Sequence, residues 1–360
     1  MSGYRSHEER LLDQRLTIKE FKLNLRYIID RYQVAHHIDQ WIHLAIESGV
    51  EVLELHLVGG AKDDWYNFPL CLTETKSLTK LVLRGGIRLD PAFLNHLLEF
   101  FSIKTLSLGD PPGSRTYRVK SLSLHGLQKL KGADVQGILE VYIDAPNLEN
   151  LCYRAPAERD ESFVLNLDSC TNLKCLSLWY LTNPNKWLLE LLYKIPFLES
   201  LILHNCSICQ YERLSISGPQ LKFFRLLYCS NLKEVNIDAP NLLSCDYSGE
   251  AKPAISFLRN SNQPELNAYF GMDHRHLHRL REFVQNIKPQ EVFHSLSLFI
   301  HEPCSFRESL GVLQASSTPP SIKHVQFSYE MLMDEKKCWC YSRHHKCCWH
   351  DLKIVKVTHI

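Results

Sequence analysis

The chain has almost no charge of one sign to spare: 41 Lys and Arg stand against 40 Asp and Glu, a formal net charge of +1. So balanced a molecule has no global field to draw it to nucleic acid or to an anionic membrane. No uninterrupted apolar run reaches the ~18 residues of a transmembrane helix. The opening residues, MSGYRSHEERLLDQR, are polar and lack the apolar core of a secretory signal. They read as a disordered segment over residues 1–15. G-x-S-x-G, the P-loop, G-x-G-x-x-G and H-E-x-x-H are all missing, so catalysis finds no support and the chain is not expected to be an enzyme. Cysteine is abundant, at thirteen residues, but the count is odd and most fall singly inside apolar segments. Reduced thiols in the cytosol or nucleus are expected, with no disulfide framework. The one sequon, Asn205-Cys206-Ser207, is discounted for the same reason.

What is present is repetition. IDAPNL occurs at Ile143–Leu148 and again at Ile237–Leu242, flanked in both places by apolar residues in register. The phrase L-x-x-L-x-L organises most of the chain, and LESLILHNC (Leu198–Cys206) extends it to the full leucine-rich form L-x-x-L-x-L-x-x-N/C. Looser copies include VEVLELHL, LTKLVLRGG, IKTLSLGD, VKSLSLHGL, LKCLSLWYL, LKFFRLLYC and FHSLSLFI; IKHVQFSY and LKIVKVTH keep only the alternation. Period-two alternation makes each a short strand with its leucines on one face. Central residues Leu53, Leu81, Leu106, Leu122, Leu151, Leu176, Leu201, Phe224 and Cys245 mark successive inner strands. Most steps match the ~20–29 residues of one leucine-rich coil. The step from Leu106 to Leu122, only 16 residues and containing DPPGSR, predicts a tight loop in place of a helix.

Three return arms read as helices: LDPAFLNHLLEFF, NPNKWLLELLYKIP with Leu188, Leu191 and Leu192 inward, and DHRHLHRLREFVQNIKP. Others are too short for a helix, so RLSIS and EVNID are expected to be outer strands. IDAPNL is then a corner, its proline fixing φ and its Asp and Asn supplying Asx-type hydrogen bonds. The expected fold is α/β: a right-handed leucine-rich-repeat solenoid, or horseshoe, with parallel inner strands and mixed helix/strand outer arms. It spans residues 16–333, opening with a capping strand and helix over 16–49. In that helix Val34, Ile38, Trp41, Ala45 and Ile46 form the apolar face and Gly49 closes it. Residues 334–360 supply a Cys/Trp/His-rich cap and the last strand.

The stretches IDQWIHLAIESGVEVLELHL, SLTKLVLRGG and FLESLILHNCS, the two IDAPNL corners and the tail KCCWHDLKIVKV together resemble the plant F-box/leucine-rich-repeat proteins, from about Leu16 onward. In that family an N-terminal F-box binds the Skp1 adaptor of an SCF-type E3 ubiquitin ligase and the repeats hold the substrate. The fifteen residues before Leu16 cannot hold an F-box. The resemblance therefore implies a substrate-recognition module lacking its ligase-docking part, and Skp1 is not an expected partner.

The competing chemistry sits in CWCYSRHHKCCWH. Cys338, Cys340, His344, His345, Cys347, Cys348 and His350 are dense enough to suggest a zinc-stabilised structural scaffold. Their spacing by one or no intervening residue strains chelation by each pair, and a Trp/Cys-rich cap over the last strand is the plainer reading, with no metal or cofactor assigned. HRHLHRLR (His274–Arg281) reads as a solvated helix face. The remaining candidate is a surface. Residues between the leucines face the concave side: Glu54, His56, Arg84, Ser123, His125, Ser177, Trp179, Ile202, His204, Arg225 and Leu227. Of these, Trp179, Ile202, His204, Arg225 and Leu227 are the expected partner-binding residues. Aromatics and arginine are the types enriched at binding hot spots, and the expected partner is a protein.

Overall fold

The computed structural model describes residues 18–26, 31–58, 65–69, 75–90, 93, 102–109, 121–156, 163–182, 184–207, 213–249, 253–259, 264–270, 295–300, 325–329 and 354–357. The segment 1–15, most of the helices expected over 89–101 and 273–289, and the Cys/His run 338–350 lie outside them. Contacts divide the chain into two compact units, Met1–Leu176 and Ser177–Ile360.

The first unit opens with β1 (Glu20–Arg26), α1 (Arg31–Glu47) and β2 (Val52–Val58). It continues through β3 (Tyr66–Asn67), β4 (Lys80–Gly85), β5 (Ile87–Arg88), β6 (Thr105–Gly109) and β7 (Ser121–His125). Strands β8 (Gly132–Gln136), β9 (Glu140–Asp144), β10 (Asn150–Arg154) and β11 (Val164–Asn166) follow. Inner strands lie side by side in the order β1-β2-β4-β6-β8-β10, each pair parallel. Alternation puts Leu53, Leu55 and Leu57 into the core at no more than 1% exposure and leaves Glu54 and His56 on the other face. The carbonyl beginning each inner strand accepts two successive N–H groups from the next coil, as Lys131 O does from Glu149 and Asn150, both at 2.9 Å. Stacking thus satisfies the backbone that a short strand alone would leave open.

The register differs from the expectation at one place. Ser121–His125 is an outer strand, in a three-stranded sheet ordered β11-β9-β7. The inner partner of Leu106 is Ala133, which in turn pairs with Leu151. The sequence GADVQ carries small residues at the leucine positions, so the more leucine-like SLSLH drew the assignment. Ser123 and His125 therefore leave the inner face for the outer one.

Helix α1 buries Ile38, Ile42 and Ala45, while Trp41 is 39% exposed. The apolar face therefore runs through Ile42 and not the tryptophan. It ends at Gly49 (φ 76°), where Gly49 N donates to Ile46 O and Val50 N to Ala45 O, the paired bonds of a Schellman stop.

The second unit begins within β12 (Cys175–Trp179), from Ser177, and holds α2 (Asn185–Lys194), β13 (Ser200–His204), β14 (Arg213–Ser217), β15 (Phe223–Leu227) and β16 (Glu234–Asp238). It continues with β17 (Ser244–Ser248), β18 (Ala254–Phe257), β19 (Glu265–Phe270), β20 (Ser295–Ile300), β21 (Val325–Tyr329) and β22 (Ile354–Val357). Inner strands follow the order β12-β13-β15-β17-β19-β20-β21-β22, and β14-β16-β18 form an outer sheet. Strand β22 runs antiparallel to β21, a departure from the all-parallel stack that the alternation of LKIVKVTH implied. Pro184 stands at the N-cap of α2 without a side-chain cap, and Leu188, Leu191 and Leu192 are buried.

Both IDAPNL copies join an outer strand to an inner one, β9 to β10 and β16 to β17. Leu148 N donates to Ala145 O and Leu242 N to Ala239 O, closing equivalent turns. The asparagines do not form Asx turns. Asn147 Nδ2 donates to Gln128 O at 2.8 Å and Asn241 Nδ2 to Pro219 O at 2.7 Å, each reaching the corner of the coil before.

Candidate functional site

The solvent-facing side of the inner strands has a different chemistry in each unit. In the first it is polar. Asp134 on β8 accepts from Arg84 on β4 and from Arg154 on β10 (2.6 Å), while Arg84 Nε donates to Ser107 Oγ at 3.0 Å. Glu54 pairs with Lys80 at 2.6 Å, and that hydrogen bond holds its carboxyl below the usual range. His56 lies opposite Arg84 in register; burial, then the arginine's charge, lowers its pKa. A narrow cleft of about 30 Å³ lies beside the ends of β4, β6 and β8, among Trp65, Ile87, Gln136 and Ile138.

In the second unit the same side is aromatic and apolar. The five residues singled out from the sequence come together on β12, β13 and β15. Trp179 stacks on His204 with ring centroids 3.8 Å apart and planes at 16°, and its indole Nε1 donates to Ser177 Oγ at 2.8 Å. His204 lies opposite Leu227, and Ile202 opposite Arg225. Arg225 is not a bare cation, because its Nε meets Asp246 Oδ2 at 2.9 Å. Asp246 is only 9% exposed. It also accepts from Ser244 Oγ at 3.1 Å and Asn267 Nδ2 at 2.9 Å.

Three further members went unread. Phe223 alternates onto this face two residues before Arg225 and is 44% exposed. Tyr180 and Tyr228 follow the last residues of β12 and β15, are 43% and 58% exposed, and flank the His204 ring at 6.5 and 5.5 Å. Both have left-handed backbones, φ 63° and 53°, as does Asn205 (φ 52°) between them. The signal was available: aligning LWYL, LHNC and LLYC puts Tyr180, Asn205 and Tyr228 in one column. At that position the backbone turns, so that Tyr180 N donates to His204 O, Asn205 N to Leu227 O and Tyr228 N to Ser248 O. A tyrosine in the left-handed region costs roughly 1–2 kcal/mol over an ordinary conformation, and the turn holds both rings at the rim of the patch.

Beneath the rim, the N/C position of the repeat is filled by buried thiols. Cys206 Sγ lies 3.7 Å from Leu178 O and Cys229 Sγ 3.6 Å from Leu203 O, each touching the coil before. The hydrogen bond with Cys206, together with burial, holds the Cys229 thiol well above its ordinary pKa. Among the described residues no cluster of three or more His, Cys, Asp or Glu could hold a metal, and no helix is long and apolar enough to cross a membrane.

Residues 161–293, which include every member of this patch, match the family model described as "At1g61320/AtMIF1, LRR domain". No curated protein matches the chain. Over the matched segment, somewhat more than a third of its length, the chain is similar to a plant leucine-rich-repeat domain, and the parallel β-solenoid is the fold that such repeats build.

Proposed function

We propose that this chain is a protein-recognition module. In this reading it is a right-handed solenoid with mixed helix and strand outer arms, and it captures a protein partner on the solvent-facing side of β12, β13 and β15. It acts in the cytosol or nucleus as a binding protein, not an enzyme. The observation that carries the reading is the cluster of Trp179, Tyr180, His204, Phe223 and Tyr228, rings exposed or half-exposed on one sheet face beside an ordered arginine. Aromatic and arginine side chains dominate binding energy where a partner can cover them. The likeness to F-box/leucine-rich-repeat proteins extends the reading to the substrate-holding part of an SCF-type ubiquitin ligase receptor, or a competitor for its substrates. Skp1 recruitment then belongs to some segment other than these coils.

The test compares proteins retained from a cell extract by the wild-type chain and by Trp179→Ala. A set lost with the variant, whose circular dichroism and melting stay near wild type, supports the reading. An identical set, or a variant that no longer folds, removes Trp179 from the surface. Binding of purified Skp1 by this chain would contradict the assignment of the solenoid to substrate alone.

A further inference from the structure

Resting on that recognition surface, the structure assigns its partner a chemistry: we infer that Arg225 is the anchor for a carboxylate on an acidic peptide segment whose neighbouring side chains are apolar or aromatic. Two other arginines of the molecule engage both Nε and Nη2. Arg84 spends Nε on Ser107 and Nη2 on Asp134. Arg259 closes on Asp238 with both Nε and Nη2. Arg225 differs: its closest approach to Asp246 is through Nε, at 2.9 Å, and neither Nη group hydrogen-bonds to a described residue. Its side chain is 54% exposed while that of Asp246 is 13% exposed. The planar fork is therefore fixed at its inner edge, and its outer edge, the one that takes a carboxylate through two parallel N–H···O bonds, faces solvent.

Charge points the same way. Asp246 already accepts from Ser244 and Asn267 besides Arg225, so its negative charge is shared among three donors and the arginine keeps a positive face outward. The surroundings are apolar: Ile202 opposite in register, Phe223 and Leu227 two residues away on either side, and the Trp179–His204 stack beyond. A ligand covering these would exclude water from around the guanidinium, and a charged hydrogen bond strengthens as water leaves. A basic segment would meet repulsion there, and a purely apolar one would bury the open Nη groups without partners, which is costly.

The experiment selects short random peptides displayed on phage against the purified full chain. The strongest binders are then measured as synthetic peptides by fluorescence anisotropy, each beside its Glu-to-Gln or Asp-to-Asn isostere. The inference expects selected peptides to carry a carboxylate within one or two residues of an aromatic or aliphatic side chain. It expects the isostere, or Arg225→Gln, to weaken binding about tenfold or more, with Arg225→Lys falling between because the charge survives and the fork does not. Asp246→Asn should weaken the same peptides by releasing Nε. Should Arg225→Gln fail to fold, Arg225→Lys and the isosteric peptides decide alone. If peptides are enriched that lack a carboxylate, or bind Arg225→Gln unchanged yet are lost with Trp179→Ala, the carboxylate anchor is overturned and the recognition surface stands. If nothing is enriched, or what is enriched ignores Trp179→Ala as well, the surface itself fails.

Discussion

Single residues here are constrained chiefly by how closely adjacent coils approach. Gly85 at the end of β4 has φ 93°, and a Cβ built on it would lie 2.1 Å from Leu57 O, a backbone atom that cannot step aside. Gly126 also has a left-handed φ, 73°, but faces open space. Alanine at Gly126 should therefore cost only the conformational penalty, ~1 kcal/mol. Alanine at Gly85 adds a clash within the sheet and should cost about 3 kcal/mol or more; urea midpoints of the two variants read the difference. The thiols make a second contrast. Burial pushes Cys170 up to about 11 and Cys245 higher still, whereas Cys175 is exposed. Only the thiolate alkylates readily. Mass-spectrometric mapping after iodoacetamide should therefore find Cys175 labelled in the native protein, and Cys170, Cys229 and Cys245 only after unfolding. Rapid native labelling of Cys245 would mean that its coil opens far more often than its packing implies.

Elements were legible where one periodicity served one purpose. LESLILHNC fixed β13 because its leucines have nowhere to go but the core, and NPNKWLLELLYKIP gave α2 because three leucines share a face between two prolines. Alternation, however, says only that a strand has one buried side, and an outer strand of a solenoid has one too. SLSLH satisfied the pattern better than GADVQ did, and so β7 was read as inner. In α1 hydrophobicity alone favoured Trp41, although geometry buries Ile42 one residue on. That element yields a prediction: Ile42→Ala should cost about 2–4 kcal/mol through the cavity it leaves, and Trp41→Ser well under 1 kcal/mol. The corners yield another. Each IDAPNL asparagine bonds a carbonyl of the coil before, so Asn147→Ala or Asn241→Ala should cost roughly 1 kcal/mol, with faster amide exchange confined to the joined coils. The candidate site was half legible for a related reason. Alternation listed the strand residues that point outward, but Tyr180 and Tyr228 lie one step past their strands, where only comparison between repeats reveals a shared turn.

At the scale of the whole molecule, a net charge of +1 conceals a highly local arrangement. Charges of both signs are set against one another across neighbouring coils. Lys131 and Lys174 both reach Glu149 at 3.0 and 3.2 Å, Lys222 meets Glu199 at 2.9 Å, and Arg259 grips Asp238 with two nitrogens. Because a repeat protein is stabilised by each coil's contact with the next, these pairs act at the interfaces that hold the stack together. Hydrogen bonds from Lys80, from Lys131 and from Arg259 depress the carboxyl pKa values of Glu54, Glu149 and Asp238 respectively. A carboxyl whose folded pKa lies below its unfolded one releases its proton more readily in the native state. Its contribution is therefore complete above the unfolded value, near 4, and disappears as pH falls through the lowered folded values. Each pair is partly exposed and screened by solvent, so its contribution is small. Urea midpoints should thus be level from neutral pH down to the ordinary carboxylate range and fall below it. Glu54→Gln and Asp238→Asn should be less stable than wild type at neutral pH and converge on it in acid, and added salt should narrow the neutral gap. A variant whose deficit persists unchanged at low pH would show that packing or hydrogen bonding, and not charge, joins those coils.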